Sequence, residues 1–221
     1  TAKPNPVVGA ILEKDGEIIS EGYHKLFGHR HAEINALSSA EKLKNIKFNS
    51  FSELTLICTL EPCSHIGKTG SCADAIVKSG IKRVIIGSVD PNSKVSGKGI
   101  EILRKNNIEV EVGMHQDLVA KQNRFFFYRH KNNMPFITVK IASSLDGKSH
   151  YKNNERVFIS SKESREDVQL LRAEYDAILT GTNTFLNDNP RMNARVNFQV
   201  NQPEKILLST SLGAIKNTDR I

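Results

Sequence analysis

The sequence predicts an α/β protein: a mixed sheet with helices packed on it as a three-layer sandwich, followed by a second and shorter α/β segment. Three observations carry this. Strand-like and helix-like stretches follow one another as β-β-α-β-α-β-α-β up to Val112, a pattern that buries its apolar faces by layering helices on a sheet. The first two strands meet at Lys14-Asp15-Gly16-Glu17, where Asp-Gly supplies the positive backbone angles of a tight hairpin. A polar break at Lys131-Asn132-Asn133, with Pro135 restarting the chain, then separates a second run. The expected domains are 1–132 and 133–221.

Each element has a local reason. Pro4-Asn5-Pro6 is a rigid turn, since each Pro biases its predecessor towards extended backbone. Val7 to Leu12 is a buried strand and Glu17 to Tyr23 its return strand. From His31 to Lys44 the apolar Ile34, Leu37, Ala40 and Leu43 recur near a helical period, which puts His31 and Glu33 in the first turn. Leu54 to Leu60 is an apolar strand running into Glu61-Pro62-Cys63. A polar loop, Ser64 to Ser71, leads to a short helix over Cys72 to Ser79 with Gly80 as its C-cap. Ile81 to Val89 is a strand, Asp90-Pro91-Asn92 a turn, Gly99 to Asn106 a helix and Ile108 to Val112 a strand.

Asp117 to His130 predicts one helix leaving this unit. Phe136 to Ile141 alternates as a strand does. Ser161 to Ala173 predicts a helix, and Asp176 to Thr180 and Lys205 to Ser209 two strands. At about 90 residues this second run is marginal for an independent domain. The chain opens on Thr1 without Met and ends on Thr218-Asp219-Arg220-Ile221 without a closing element. The expectation is a chain truncated at both ends.

Composition bounds the function. Of 221 residues, 38% are hydrophobic and 25% charged, which is ordinary for a soluble globular protein. No apolar run approaches the roughly 20 residues of a membrane helix, so no membrane partner is expected. With no signal peptide at Thr1, a cytoplasmic location is expected. The net charge of +7 fits a lysine-rich solvated surface, or attraction of anionic ligands such as phosphates. Nucleic acid is not expected, because no Lys/Arg tract stands out and Trp is absent. The three cysteines, Cys58, Cys63 and Cys72, argue for reduced thiols or a metal rather than a disulfide framework.

The candidate chemistry lies in His31-Ala32-Glu33, Pro62-Cys63 and Cys72. His31, Cys63 and Cys72 are side chains of the kind that bind zinc, and three protein ligands leave the fourth tetrahedral position open, as catalytic sites do. Glu33 lies close to such a metal without ligating it and is free to move protons. The pattern H-x-E…P-C-x-x-C is the signature of zinc nucleobase deaminases. Its second half is stretched here, since the next cysteine after Cys63 is Cys72. Ligands need only converge in space, so zinc tolerates the insertion. Helix starts at His31 and Cys72 would aim both inward, and a helix N-terminus favours thiolate over thiol. Cys58, inside an apolar strand, is expected in the core.

Residues Thr59-Leu60-Glu61-Pro62-Cys63-Ser64-His65-Ile66-Gly67-Lys68-Thr69, ending at Cys72, resemble the deaminase half of the bifunctional riboflavin-biosynthesis deaminase/reductase family. So do Pro4-Asn5-Pro6-Val7-Val8-Gly9, Gly22-Tyr23-His24 and Asp90-Pro91-Asn92. Lys140-Ile141-Ala142-Ser143-Ser144-Leu145-Asp146-Gly147 and Asp167-Val168-Gln169-Leu170-Leu171-Arg172 are similar to the start of its reductase half. The resemblance implies a cytidine-deaminase-like fold followed by the N-terminal part of a dihydrofolate-reductase-like domain. It implies zinc-dependent hydrolysis of the 2-amino group of 2,5-diamino-6-(5-phosphoribosylamino)pyrimidin-4(3H)-one. It then implies NADPH reduction of the ribosyl arm to ribityl in the full-length protein.

By the same resemblance the deaminase pocket comprises Asn5, His24, Lys68 and Asp90. Asn5 offers donor and acceptor to a pyrimidine edge, and Lys68 and His24 offer positive charge to a phosphorylated arm. The resemblance puts NADPH near Ala142, Phe158, Thr184, Asp188, Ser209 and Thr210. It puts the reductase substrate near Lys140, Arg156, Arg172, Met192 and Arg195. This sequence departs from the family at Phe158 (usually Trp), Arg156 (commonly Ser), Asn189 (usually Asp) and Met192 (usually Leu). The family's glycine-rich cofactor segment is absent from the sequence in hand. Homo-oligomerisation stays open. The rival readings are a nucleic-acid cytidine or adenosine deaminase, with Phe125-Phe126-Phe127-Tyr128 as its only stacking candidate, and a non-catalytic zinc module, which has no use for Glu33.

Overall fold

The computed structural model describes residues 2–44, 51–64, 70–93, 95–151 and 158–210. The chain divides into two units, Thr1–Ile137 and Thr138–Ile221. The boundary falls beyond the expected polar break because the break is helical, and Phe136 packs edge-on against Phe125 and Tyr128 with ring centroids 5.1 and 5.2 Å away.

In the first unit the strands are β1 (Gly9–Lys14), β2 (Glu17–Tyr23), β3 (Thr55–Leu60), β4 (Arg83–Ser88) and β5 (Glu109–Val112). They form one sheet in the order β2-β1-β3-β4-β5. The hairpin β1–β2 and the pair β1–β3 are antiparallel, while β3–β4 and β4–β5 are parallel. The parallel pairs are joined by α2 (Cys72–Ser79) and α3 (Lys98–Lys105), and α1 (Ala32–Lys44) links β2 to β3. Asp15 and Gly16 both have positive φ, as the hairpin reading requires. Gly80 caps α2 in the left-handed region at φ 83°.

Alternation places one set of strand residues on the helix side. Ala10, Leu12, Leu56, Cys58, Val84 and Ile86 join Ala36, Leu37, Ala40, Ile76, Ile100 and Leu103 in one core. Cys58 is 1% exposed and belongs to it, as expected. The opposite face of β4 is covered by α4 (Gln116–Gln122). A Cβ on Gly87 would lie 2.9 Å from Val119 Cγ2 and 2.7 Å from the Thr59 carbonyl oxygen. Helices therefore flank the sheet on both sides, the expected three-layer arrangement.

The helix predicted over Asp117 to His130 is two helices, α4 and α5 (Arg124–Asn132). The break is Asn123. Its Oδ1 accepts from the Val7 backbone N–H at 2.7 Å and its Nδ2 donates to the Val7 carbonyl at 2.9 Å. A side chain thus serves both main-chain groups of Val7, next to the start of β1.

Gly22 fixes how α1 meets the sheet. A Cβ there would lie 2.3 Å from the Ala32 carbonyl oxygen and 2.3 Å from the Ala36 nitrogen. Both are backbone atoms that no side-chain rotation can move. Ser20 Oγ adds a bond to the Ala36 carbonyl at 2.9 Å. Gly22→Ala is expected to destabilise the protein by about 3 kcal/mol, the upper range of overpacking costs. Urea unfolding would read this as a lowered midpoint at unchanged slope.

The second unit contains α6 (Lys162–Glu174), β6 (Ala177–Gly181), α7 (Thr182–Asp188) and β7 (Glu204–Leu208). The two strands are parallel. Ser161 caps α6 by accepting from the Ser164 N–H, and α7 was not foreseen. The strand expected over Phe136 to Ile141 does not form. Ile137, Val139 and Ile141 are 73%, 77% and 75% exposed, and the segment pairs with no described strand. Alternation marks a face, but a strand also needs a neighbour for its backbone N–H and C=O groups.

Candidate active site

The candidate donors converge from three elements. The His31 carbonyl accepts from the Asn35 N–H at 3.0 Å, so this residue opens α1. Cys63 follows β3, and Cys72 is the first residue of α2. The Cys63 carbonyl accepts from the Ala73 N–H and from Ser71 Oγ, each at 3.1 Å. Ser71 Oγ in turn accepts from the Asp74 N–H at 3.2 Å. The start of α2 is thereby clasped to the residue that presents the first sulfur.

His31 Nδ1 lies 3.2 Å from Cys72 Sγ and 3.5 Å from Cys63 Sγ, and the three donor atoms lie within 4.8 Å of one another. Donors on a tetrahedral zinc with bonds of 2.0–2.3 Å sit about 3.5–3.8 Å apart. The cluster is close to that spacing before any ion enters, and its one nitrogen and two sulfurs suit zinc. The residues present fit the metal.

The thiols do not share charge equally. Cys63, the less buried of the two, is held down to about 4 by a hydrogen bond from the Cys72 thiol and by His31. Cys72 is pushed up by that same bond and by burial. The backbone N–H of Cys72 points at Cys63 Sγ, 3.4 Å away. The helix start therefore favours thiolate at Cys63, where the sequence had put the benefit at Cys72.

Glu33, in the first turn of α1, is 3% exposed. Burial pushes its carboxyl up to about 7, and its side chain meets the Cys72 thiol. A carboxyl beside the donors and poised near neutrality can both accept and release a proton.

The expected deaminase pocket residues gather here in part. Asn5 Nδ2 donates to His24 Nε2 at 3.1 Å. His24 Nδ1 lies 3.2 Å from the Arg30 carbonyl, which can only accept. The ring is thereby fixed with its proton on Nδ1 and Nε2 as acceptor. Burial holds its pKa below the usual value, and its ring meets that of His31 edge-on at 5.3 Å. His24 thereby orients Asn5. Asp90 is buried, and its Oδ1 accepts from the Asn92 N–H at 2.8 Å. Lys68 lies outside the described residues, as does Arg156.

The sequence marks Glu61 only as the start of Glu61-Pro62-Cys63. Its carboxylate is 4% exposed and accepts four backbone N–H groups, from Asp90, Gly97, Gly99 and Ile100. Its local signal was a charged residue at the end of an apolar strand.

Two family profiles match the chain. Residues 1–88 match the cytidine and deoxycytidylate deaminase zinc-binding region, and residues 135–220 match the RibD C-terminal domain. The riboflavin biosynthesis protein RibD of Aquifex aeolicus is 43% identical over 95% of this chain and 57% of its own length. A solved RibD from Acinetobacter baumannii superposes with a TM-score of 0.90 at 38% identity, over 100% of this chain and 61% of that one. A Thermotoga maritima diaminohydroxyphosphoribosylaminopyrimidine deaminase/5-amino-6-(5-phosphoribosylamino)uracil reductase gives 0.89 at 40% identity, over 99% and 61%. Along its two segments the chain is therefore similar to RibD proteins. It spans a little over half the length of these RibD relatives, and its fold is the deaminase-like unit followed by part of the RibD C-terminal domain. No described helix is long and apolar enough to cross a membrane.

In the RibD C-terminal segment a cavity of ≈ 570 Å³ is lined by Lys140, Ala142, Phe158, Arg172 and Arg195, among others. Residues expected on the cofactor side (Ala142, Phe158) thus share a wall with residues expected on the substrate side. Helix α6 also turns Lys162, Arg165 and Gln169 into this cavity, at the three- and four-residue spacing of one helix face. The Arg165 guanidinium stacks 4.4 Å over the Phe158 ring. Sequence reasoning missed Lys162 and Arg165, although their spacing to Arg172 signalled them. The Arg172 guanidinium donates to the Asn193 carbonyl at 3.2 Å, and burial holds its pKa below the usual value.

Met192 is 2% exposed and does not line the cavity. Thr184, Asp188, Ser209 and Thr210 are also off its wall. Thr184 and Asp188 lie in α7, which follows β6, and Ser209 and Thr210 follow β7. Both groups therefore sit beyond the carboxyl ends of adjacent parallel strands, where open α/β sheets bind ligands.

Proposed function

We propose that this chain carries out hydrolytic deamination in riboflavin biosynthesis, on 2,5-diamino-6-(5-phosphoribosylamino)pyrimidin-4(3H)-one. The observation that carries this is the buried Glu33 carboxyl set against a His31, Cys63 and Cys72 cluster at zinc-like spacing. His31 Nδ1 and the sulfurs of Cys63 and Cys72 hold zinc. Zinc, when bound, supplies a Lewis acid that lets water ionise near neutral pH. Glu33 takes one proton from the attacking water to the ring nitrogen, and then carries the remaining hydroxyl proton to the departing amine as the carbonyl forms. Oxygen replaces the 2-amino group and ammonia leaves. Asn5, oriented by His24, reads the pyrimidine edge, and Asp90 is assigned to the same pocket. Lys68 supplies the cation for the phosphorylated arm.

The second unit carries part of a reductase that uses NADPH. Lys140, Arg172 and Arg195, together with Arg156, suit a ribose phosphate, since guanidinium forks grip phosphate oxygens in pairs. Met192 is assigned to the same substrate site. NADPH approaches Ala142, Phe158, Thr184, Asp188, Ser209 and Thr210. The boundary between the two activities lies near 132–137.

One assay tests the deaminase. The zinc-loaded chain is expected to release ammonia from the free phosphoribosylaminopyrimidine and not from cytidine in RNA. The reverse result would make it a nucleic-acid deaminase. The packing of Phe125 and Tyr128 on Phe136 speaks against that reading, since it engages two of the four rings a stacking platform would use.

A further inference from the structure

Glu61 stands at the end of β3, two residues before Cys63, and is almost wholly removed from solvent. A buried carboxylate is costly unless its oxygens are satisfied. Here Oε2 accepts from the backbone N–H groups of Asp90 at 3.2 Å and Gly97 at 2.9 Å. Oε1 accepts from Gly99 at 2.9 Å and Ile100 at 3.3 Å. Gly97 is the N-cap of α3 and has no side chain with which to cap it. Glu61 therefore caps α3 from another strand, and an anion at a helix N-terminus is favoured by the helix dipole.

The fit is close on the main-chain side as well. A Cβ on Gly99 would lie 2.0 Å from the Pro62 carbonyl oxygen. Asp90, Gly97, Gly99 and Ile100 are thus gathered onto Glu61-Pro62, immediately before the first sulfur donor. Ahead of that sulfur, the Cys63 carbonyl is held by Ala73 and Ser71.

We infer that Glu61 is a positioning residue: its clasp on the 90–100 segment fixes Cys63 and Asp90 in a single frame. The Cys63 sulfur is then located from two sides, by Glu61 behind it and by the start of α2 ahead of it. Removing the clasp frees one side and lets the sulfur wander from His31 Nδ1 and Cys72. The inference concerns the donor cluster, so it stands or falls separately from the identity of the substrate.

The test uses the full chain and compares Glu61→Gln with Leu103→Ala. A glutamine has one oxygen and an NH2 group, so it turns a donor towards two of the four N–H groups. Leu103 is fully buried in α3, and its truncation loosens the same helix without touching the clasp. Zinc affinity is read by competition with a chromophoric chelator, beside urea unfolding. Glu61→Gln is expected to bind zinc at least about tenfold more weakly, within the range seen when residues behind metal ligands are changed. Leu103→Ala is expected to lose stability and keep wild-type zinc affinity. Wild-type affinity in Glu61→Gln, or equal weakening in Leu103→Ala, would overturn the inference. If Glu61→Gln yields no folded protein, Glu61→Asp, which keeps the charge but shortens the reach, is read by the same two outcomes.

Discussion

Glu33→Gln is expected to keep zinc at full occupancy while ammonia release falls by about 10³-fold, within the range that positioned acid/base groups contribute. The substitution is isosteric, so the first turn of α1 keeps its packing against β2. A carboxamide can hydrogen-bond where the carboxyl did, but it cannot take up a proton and release it again. The sequence position alone does not compel this, since a glutamate in the first turn of a helix is commonly a solvated partner of the helix dipole. Burial decides between the two. At 3% exposure and against the Cys72 thiol, Glu33 has no bulk water to serve, and its environment raises its proton affinity towards neutrality. The measurement is the rate of ammonia release at saturating substrate, with zinc content determined on the same sample. Full activity with full zinc would remove Glu33 from the proton path. Loss of zinc along with activity would instead make it a support for the cluster.

Much of the first unit was legible because its signals are local. The Asp15-Gly16 turn, the apolar runs of β3 and β4, and Gly80 after α2 each act within a few residues of themselves. The His31, Glu33, Cys63 and Cys72 set was legible because its chemistry restricts residue type. What the sequence hid is non-local. Asn123 breaks a helix because its side chain is engaged by Val7, 116 positions away. The role of Glu61 depends on four backbone N–H groups, which carry no residue identity at all. The alternation of Phe136 to Ile141 is real, yet Ile137, Val139 and Ile141 face solvent because no described strand lies alongside. Helix α7 went unseen because Thr182-Asn183-Thr184-Phe185-Leu186-Asn187-Asp188 is rich in residues that prefer caps and turns to helix interiors. The hydrogen bonds that tie the His24 ring to Asn5 and to the Arg30 carbonyl are likewise invisible from residue type.

Cys72→Ser is expected to cost the protein its zinc. A serine hydroxyl matches the thiol in shape but stays protonated near neutral pH, so it is a poor replacement for a thiolate donor. Cys72 is fully buried and its sulfur lies 3.2 Å from His31 Nδ1, so no solvent ligand can slip in without disturbing both neighbours. The loss should exceed the ~100-fold that changes behind the ligands produce, leaving less than a tenth of the metal after dialysis. Folding should survive, because the cap of α2 is Ser71 rather than Cys72 and the exchange leaves the apolar core around Ala36, Leu37 and Ile76 unchanged. Cys58→Ser is the matching control. It makes the same sulfur-to-oxygen exchange in a chain with three cysteines, at a site 1% exposed and packed among Leu56, Val84 and Ile86. There the hydroxyl is buried in an apolar setting, so urea stability should fall by about 1–3 kcal/mol while zinc content stays at one per chain. Metal analysis of the two variants side by side separates a ligand from a core residue. Equal zinc in both would take Cys72 out of the donor set, and zinc lost in both would mean that the core, rather than the donor, holds the site together.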